Sequence, residues 1–302
     1  MTRLNETSRP QAKTDLYTRV TNAIVADLEA GVRPWTKPWS AEHLAGRISR
    51  PIRSTGEAYS GINVILLWAE AVARGYAAPI WITFRQALAL GGHVRKGEHG
   101  ATVVYANTFS RTETGDDGQD VERQVPFLKA YTVFNVEQVE GLPAHFHAVA
   151  QPKLDAVQRI DHAETFFAGI GAEIRHGGDQ AYYALHPDYV QMPPFECFAD
   201  PEAYYATLAH ESTHWTRHPS RLDRDCGRKR WGDEGYAREE LVAELGAAFL
   251  CADLGLELTP RADHARYIAS WLGALKDDRR FIFTAAAHAQ RAVDFLHARQ
   301  AP

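Results

Sequence analysis

Two histidines four residues apart, with a glutamate beside the first, form the segment of this chain best suited to chemistry: His210-Glu211-Ser212-Thr213-His214. On an α-helix, residues with that spacing lie one above the other on a single face. The two imidazoles then point at one spot and can share a metal ion. Glu211 stands next to the first ligand, where it can take a proton from the attacking water. This is the physical content of the H-E-x-x-H pattern of zinc metallohydrolases, and it predicts hydrolysis of a peptide-like carbonyl. The competing description is a surface helix that happens to carry two histidines, with Glu239, Glu240 and Glu244 as solvated acids.

The chemistry requires elements that position these groups. Asp200-Pro201-Glu202 reads as an N-cap, a proline at the first helical position and an acid in the first turn. The helix it starts runs through the motif to about His218-Pro219, where proline stops it. A catalytic metal usually needs a carboxylate besides two histidines. Downstream, residues 235–250 carry Leu241, Leu245, Ala248 and Phe249 at helical spacing, the pattern of an amphipathic helix. Glu240 and Glu244 share one face of it and would repel unless a cation or a histidine donor lay between them. Glu240 is assigned as the third ligand. Glu244 is assigned to accept a hydrogen bond from the free nitrogen of a ligand histidine, and the exchanged assignment fits nearly as well. The ligand set suits Zn2+, and also Mn2+ or Co2+. Tyr236 is either a hydroxyl that stabilises the oxyanion or a buried structural tyrosine. Before the motif, residues 181–185 and 189–192 read as two short strands whose edge could hold an extended peptide. Cys197, Cys226 and Cys251 are widely spaced, which argues against a cysteine-based zinc site and against a disulfide framework.

The 302 residues suffice for two ordinary domains of a globular protein. The polar N-terminus has no apolar core for a signal peptide, and no apolar run is long enough to span a bilayer, so a cytoplasmic protein is expected. The net charge of −5 is uneven: residues 1–110 hold 13 Lys/Arg against 8 Asp/Glu, and residues 141–302 hold 17 against 23. Such asymmetry suggests different partners for the two halves. We divide the chain into an N-terminal domain at 1–140, a linker at 141–152 and a second domain at 153–302. The class is α+β, with helices against a small sheet in the first domain.

In the N-terminal half, Tyr17, Val20, Ile24, Val25 and Leu28 mark an amphipathic helix that ends near Gly31. A second helix runs over 64–74. Trp81, Thr83 and Phe84 open a strand or a helix, and residues 91–100 form a basic turn. Residues 101–105 and 129–135 read as strands, and the acidic insert from Thr112 to Glu122 reads as a mobile hairpin tip. Aromatic rings interleaved with cations suit single-stranded nucleic acid, because bases stack on rings while cations follow the phosphates. The candidates are Trp35, Lys37, Trp39, Arg53, Tyr59, Arg95 and Lys96. The competing description of the tryptophans is packed core or loop anchors.

Several stretches together resemble one family. Pro34-Trp35-Thr36-Lys37-Pro38-Trp39, residues 55–63 (Thr-Gly-Glu-Ala-Tyr-Ser-Gly-Ile-Asn) and residues 91–100 (Gly-Gly-His-Val-Arg-Lys-Gly-Glu-His-Gly) resemble the N-terminal domain of ArdC-type antirestriction proteins, which also occurs in TraC-type plasmid primases. His210 to His214, Trp231 to Tyr236 and Glu239 to Glu244 resemble the zincin-like metallopeptidase domain that follows it. Ser270-Trp271-Leu272 and residues 283–290 match the closing helices. The resemblance implies a protein of bacterial mobile elements that protects incoming plasmid DNA from host restriction. It also implies single-stranded DNA binding by the first domain and carries His210, Glu211 and His214 over as site residues. Three modes of action are open: a peptidase acting on host restriction enzymes or another protein, a peptidase delivered to its target by the DNA domain, and a non-catalytic coat on single strands whose metal only staples two helices.

Overall fold

The structure is a computed structural model that describes residues 15–35, 49–114, 120–146, 156–227, 234–256 and 265–300. Asp15 caps the first helix, α1 (Leu16–Glu29), by accepting from the Thr18 amide at 3.1 Å. The apolar stripe Val20, Ile24, Val25 and Leu28 faces the core. There follow β1 (Ile52–Arg53), α2 (Ile62–Arg74), β2 (Ile80–Ile82) and α3 (Phe84–Ala89). The ambiguous start at Trp81 resolves into a strand and then a helix, because Thr83 and Gln86 form a reciprocal capping box between them.

The remaining strands of this half are β3 (His93–Val94), β4 (Ala101–Thr114), β5 (Asp120–Asn135) and β6 (Val139–Glu140). The main sheet has the order β1-β2-β5-β4, with β1 and β2 parallel and the other pairs antiparallel. The hairpin is longer than the sequence suggests: pairing runs without a break from Ala101↔Val133 to Thr114↔Asp120, so the ladder takes in most of the acidic insert. Backbone pairing thus takes in residues 112–114 and 120–122, and the centre of the expected mobile tip, residues 115–119, lies outside the described residues. Asn63 ties α2 to the hairpin as a backbone mimic, accepting from the Val104 amide at 2.7 Å and donating to its carbonyl at 2.8 Å.

The second half contains α4 (Ala156–Gly169), β7 (Glu173–His176), β8 (Tyr182–Ala184), β9 (Tyr189–Met192), α5 (Pro201–Trp215), α6 (Glu234–Leu254), α7 (Ala265–Asp277) and α8 (Phe281–Ala298). Its sheet has the order β7-β9-β8, leaving β8 at an edge. Helix α6 packs against α5, α7 and α8. It is therefore buried on nearly every side, with Leu241, Val242, Ala243 and Leu245 all at 0% exposure, and is not the one-faced amphipathic helix the spacing suggested.

One hydrophobic core runs through both halves. Arg50 clamps them together: its guanidinium grips Asp253 of α6 at 2.8 and 3.0 Å and donates to Gln290 of α8 at 2.8 Å. Of the predicted linker, residues 141–146 pack beneath β6, and the rest lies outside the described residues. Among the described residues, no helix is long and apolar enough to cross a membrane.

Candidate metal centre

Helix α5 begins as its sequence predicts, with the Asp200 carboxylate accepting from the Ala203 amide at 2.7 Å and proline in the first turn. It ends at Trp215, a turn before Pro219, where Thr216 caps it. Every residue from Tyr204 to Trp215 is buried, so this is no surface helix. Its close approach to α6 depends on Gly246. A Cβ there would lie 2.5 Å from Thr213 Cγ2 and 2.6 Å from its Oγ1, and that hydroxyl is held by a bond to the Ala209 carbonyl.

This contact brings His210, His214 and Glu240 together, with one ligand atom from each within 4.8 Å of the others. The two Nε2 atoms are 3.2 Å apart. Glu240 Oε2 lies 3.5 Å from His210 Nε2, and Oε1 lies 3.4 Å from His214 Nε2. A tetrahedral ion with bonds of about 2.0–2.1 Å has ligand-to-ligand edges of ~3.3 Å, which the Nε2–Nε2 separation fits, and each histidine nitrogen has one oxygen of the Glu240 carboxylate at a similar distance. The donor chemistry fits as well, since two imidazole nitrogens and a carboxylate converge in a buried space.

The group that orients His214 is Glu239, a residue that the sequence reading leaves among the solvated acids. His214 Nδ1 lies 3.1 Å from Glu239 Oε1. A carboxylate only accepts, so Nδ1 carries a proton, and Nε2 is the atom that an ion would take after displacing its proton. Glu239 is held in turn by buried Arg224, at 2.9 and 2.7 Å, and Arg224 also donates to Thr216 Oγ1 and to the Thr213 carbonyl. Burial works against the charged form of Glu239, but the Arg224 guanidinium outweighs it and holds the carboxyl well below its usual range. Sequence reasoning missed both residues. Glu239 points about a quarter turn away from Glu240 on the same helix, and Arg224 lies in an irregular segment with no periodicity to mark it. Glu244 is buried one turn beyond Glu240 and is not part of the three-ligand cluster. Glu211 is buried next to the ligands.

Without an ion, the cluster keeps a proton. Burial lowers the His214 pKa, but Glu240 and Glu239 outweigh it and push it up to about 10. A bound ion must displace that proton, so its affinity rises with pH until about pH 10. We expect a gain of about tenfold per pH unit between pH 6 and pH 8, read by Mn(II) or Zn(II) titration in non-chelating buffers. A flat profile would mean that no proton is exchanged.

The β8–β9 hairpin is fixed beside α5. Tyr183 donates to Asp188 Oδ1 at 2.8 Å, and Arg221 bridges Asp188 Oδ2 at 3.0 Å to the Trp215 carbonyl at 2.7 Å. The edge of β8, unpaired among the described residues, therefore has a set position relative to the metal helix.

The nucleic-acid candidates fare differently. Trp35 is completely buried, edge-on to Trp271 at 6.0 Å, and serves as a core anchor between the halves. Tyr59 is 6% exposed and lies under the Arg53 guanidinium. Neither ring can receive a base as it stands, which corrects the stacking role expected of both. Arg53 is half-exposed and paired with Glu57 at 2.9 Å, Arg95 is paired with Glu98 at 2.7 Å, and Lys96 is exposed on the turn. Lys37 and Trp39 lie outside the described residues.

Comparisons with known proteins agree with this layout. Residues 14–134 match the family described as the N-terminal domain of anti-restriction factor ArdC, and residues 161–288 match the zincin-like metallopeptidase family. The antirestriction protein ArdC of plasmid R388, solved metal-free, superposes with a TM-score of 0.79 at 47% identity, covering 95% of this chain and 98% of that one. Its Mn(II)-bound form gives 0.78 at 46% over the same shares. The protein y4eC of Sinorhizobium fredii (strain NBRC 101917 / NGR234) is 47% identical over 296 residues, covering 96% of this chain and 94% of that protein. A DNA primase TraC of Escherichia coli is 38% identical over 302 residues, and this chain spans only 27% of its length.

Proposed function

From the premise that this chain belongs to the ArdC-type antirestriction family, we propose that it protects incoming plasmid DNA from host restriction in the bacterial cytoplasm. It does so by binding single-stranded DNA with its N-terminal half and hydrolysing a peptide bond at His210, His214 and Glu240. The observation that carries this reading is the buried convergence of three ligand atoms at separations suited to a divalent ion.

A divalent ion held there, Zn2+ by ligand type and Mn2+ or Co2+ by the same donors, supplies Lewis acidity to a carbonyl and to a water. Glu211 accepts the proton of the attacking water and returns it to the leaving amine nitrogen. Glu239 fixes the tautomer of His214, and Arg224 keeps Glu239 ionised. The edge of β8 aligns an extended substrate by main-chain hydrogen bonds. A host restriction enzyme is the proposed protein target, and the single strand is the form of DNA that brings the protein to its place of action.

Metal analysis of the purified protein beside the His210→Ala variant tests the centre. We expect one divalent ion per chain in the parent and its loss from the variant, with a binding constant lowered by at least a hundredfold. A variant that holds the ion as tightly as the parent would sink the assignment.

A further inference from the structure

Of the rings that sequence reasoning assigned to base stacking, Trp35 and Tyr59 are buried and Trp39 lies outside the described residues, so the described part of a strand-binding half needs others. The β4–β5 hairpin supplies them. Tyr105 and Lys129 are directly opposed in the ladder, with Tyr131 paired to Val103 on one side and Phe127 paired to Asn107 on the other. Opposed residues in an antiparallel pair project to the same face, so Tyr105, Phe127, Lys129 and Tyr131 form one patch. Its rings touch in sequence: Tyr105 is 6.4 Å from Tyr131 and 6.1 Å from Phe127, centroid to centroid. Lys129 Nζ lies 5.1 Å from the Phe127 ring. Tyr105 and Tyr131 are 47% and 48% exposed, among the most exposed large apolar side chains of the described residues. Deeper along the same face, Val103 and Val133 enter the core, so the rings stand where the ladder emerges from it.

Half-exposed aromatic rings on a regular sheet offer a flat apolar face to a partner. Unpaired bases are flat on both faces, and stacking on tyrosine is insensitive to base identity. The ammonium of Lys129 stands among the rings, where a phosphate of a strand crossing the ladder would lie, and Asn107 steadies the Tyr105 hydroxyl by donating to it at 2.5 Å. The rings are held on paired strands, so little conformational freedom remains to be lost on binding.

We propose that this face of the hairpin, built from Tyr105, Phe127, Lys129 and Tyr131, is the platform on which single-stranded DNA stacks. It rests on the reading that the N-terminal half binds single strands, and it places a contact on the outer sheet rather than at buried Trp35 and Tyr59.

Anisotropy of a labelled oligo(dT) titrated with the full-length protein tests it. Three forms are compared: the parent, a variant with Tyr105→Ala and Tyr131→Ala, and a variant with Tyr105→Phe and Tyr131→Phe. We expect the alanine pair to lose affinity on the order of tenfold per ring, while the phenylalanine pair stays within about twofold of the parent. Lys129→Ala should make the salt dependence shallower by about 0.7 in the log–log slope, one phosphate contact on a single strand. Both tyrosines are at the surface, and an unchanged Tm and metal content would show that the fold and the metal centre are intact. If the parent binds and the alanine pair binds equally well, the platform is wrong and the strand-binding reading stands. If the parent does not bind, both fall. A loss shared by the phenylalanine pair would assign the effect to the hydroxyls and overturn stacking. A change confined to self-association would assign the face to a second copy of the chain and overturn the platform as well.

Discussion

The Glu211→Gln variant is expected to keep its divalent ion and its fold while losing peptide-bond cleavage by about 10²–10⁴-fold, the usual contribution of a positioned general base. Glu211 is buried on the helix that carries both histidines, yet the ligand cluster comprises His210, His214 and Glu240 alone. Glutamine matches its shape and can still hydrogen-bond, so it removes the proton acceptor without opening a cavity or stranding a charge. The variant therefore separates holding the ion from using it. Metal content and melting temperature report the first, and cleavage of an unfolded protein substrate reports the second. The decisive readout is restriction of plasmid DNA entering a host that expresses the variant. Lost protection with the ion retained would make hydrolysis the protective act. Full protection would leave the strand-binding half as the active part and reduce the ion to a staple between α5 and α6. Undiminished cleavage would mean that the proton goes to another group.

The metal helix was legible because its signals are local. A capped start, a proline in the first turn and ligands at i and i+4 are all fixed by helical geometry before any packing occurs. The same geometry placed Glu240 on a neighbouring helix, but it could not say that Glu239 would hold His214, because that contact depends on the angle at which α5 meets α6 and on the room left at Gly246. Arg224 was invisible for a similar reason: its partners Thr216 and Glu239 lie 8 and 15 residues away, at spacings no single helix or strand turns into a contact. In the N-terminal half, Trp35 and Tyr59 have the types and neighbours of a stacking surface, yet tertiary contacts with Trp271 and Arg53 cover them. Type and spacing do not reveal which side of a loop faces the rest of the chain. Conversely, Tyr105 and Tyr131 lie in strands whose alternation is easy to read, but their exposure becomes evident only once the hairpin is seen to extend beyond the core.

Replacing Arg224 should be the most damaging change at the site that touches no ligand. Its guanidinium and the Glu239 carboxylate are almost fully buried, at 1% and 2% side-chain exposure. Arg224→Met takes away the cation and leaves the carboxylate buried without it. Breaking a buried pair in this way costs about 3–5 kcal/mol, far more than the loss of a surface ion pair. The effect then passes to the metal. Relieved of Arg224, Glu239 tends to take up a proton, and a protonated carboxyl no longer holds His214 in the tautomer whose Nε2 faces the ion. Metal affinity should fall by about 10–100-fold even at temperatures where the variant stays folded. Adding Glu239→Gln to Arg224→Met removes the stranded charge, so the double variant should regain much of the stability. It should regain little of the affinity, because an amide is a weaker anchor for the imidazole than a carboxylate. Urea unfolding and metal titration of the four forms of this cycle measure the two effects separately. Equal metal affinity in the parent and the folded Arg224→Met variant would show that Arg224 serves packing alone, with His214 oriented by the helix without it.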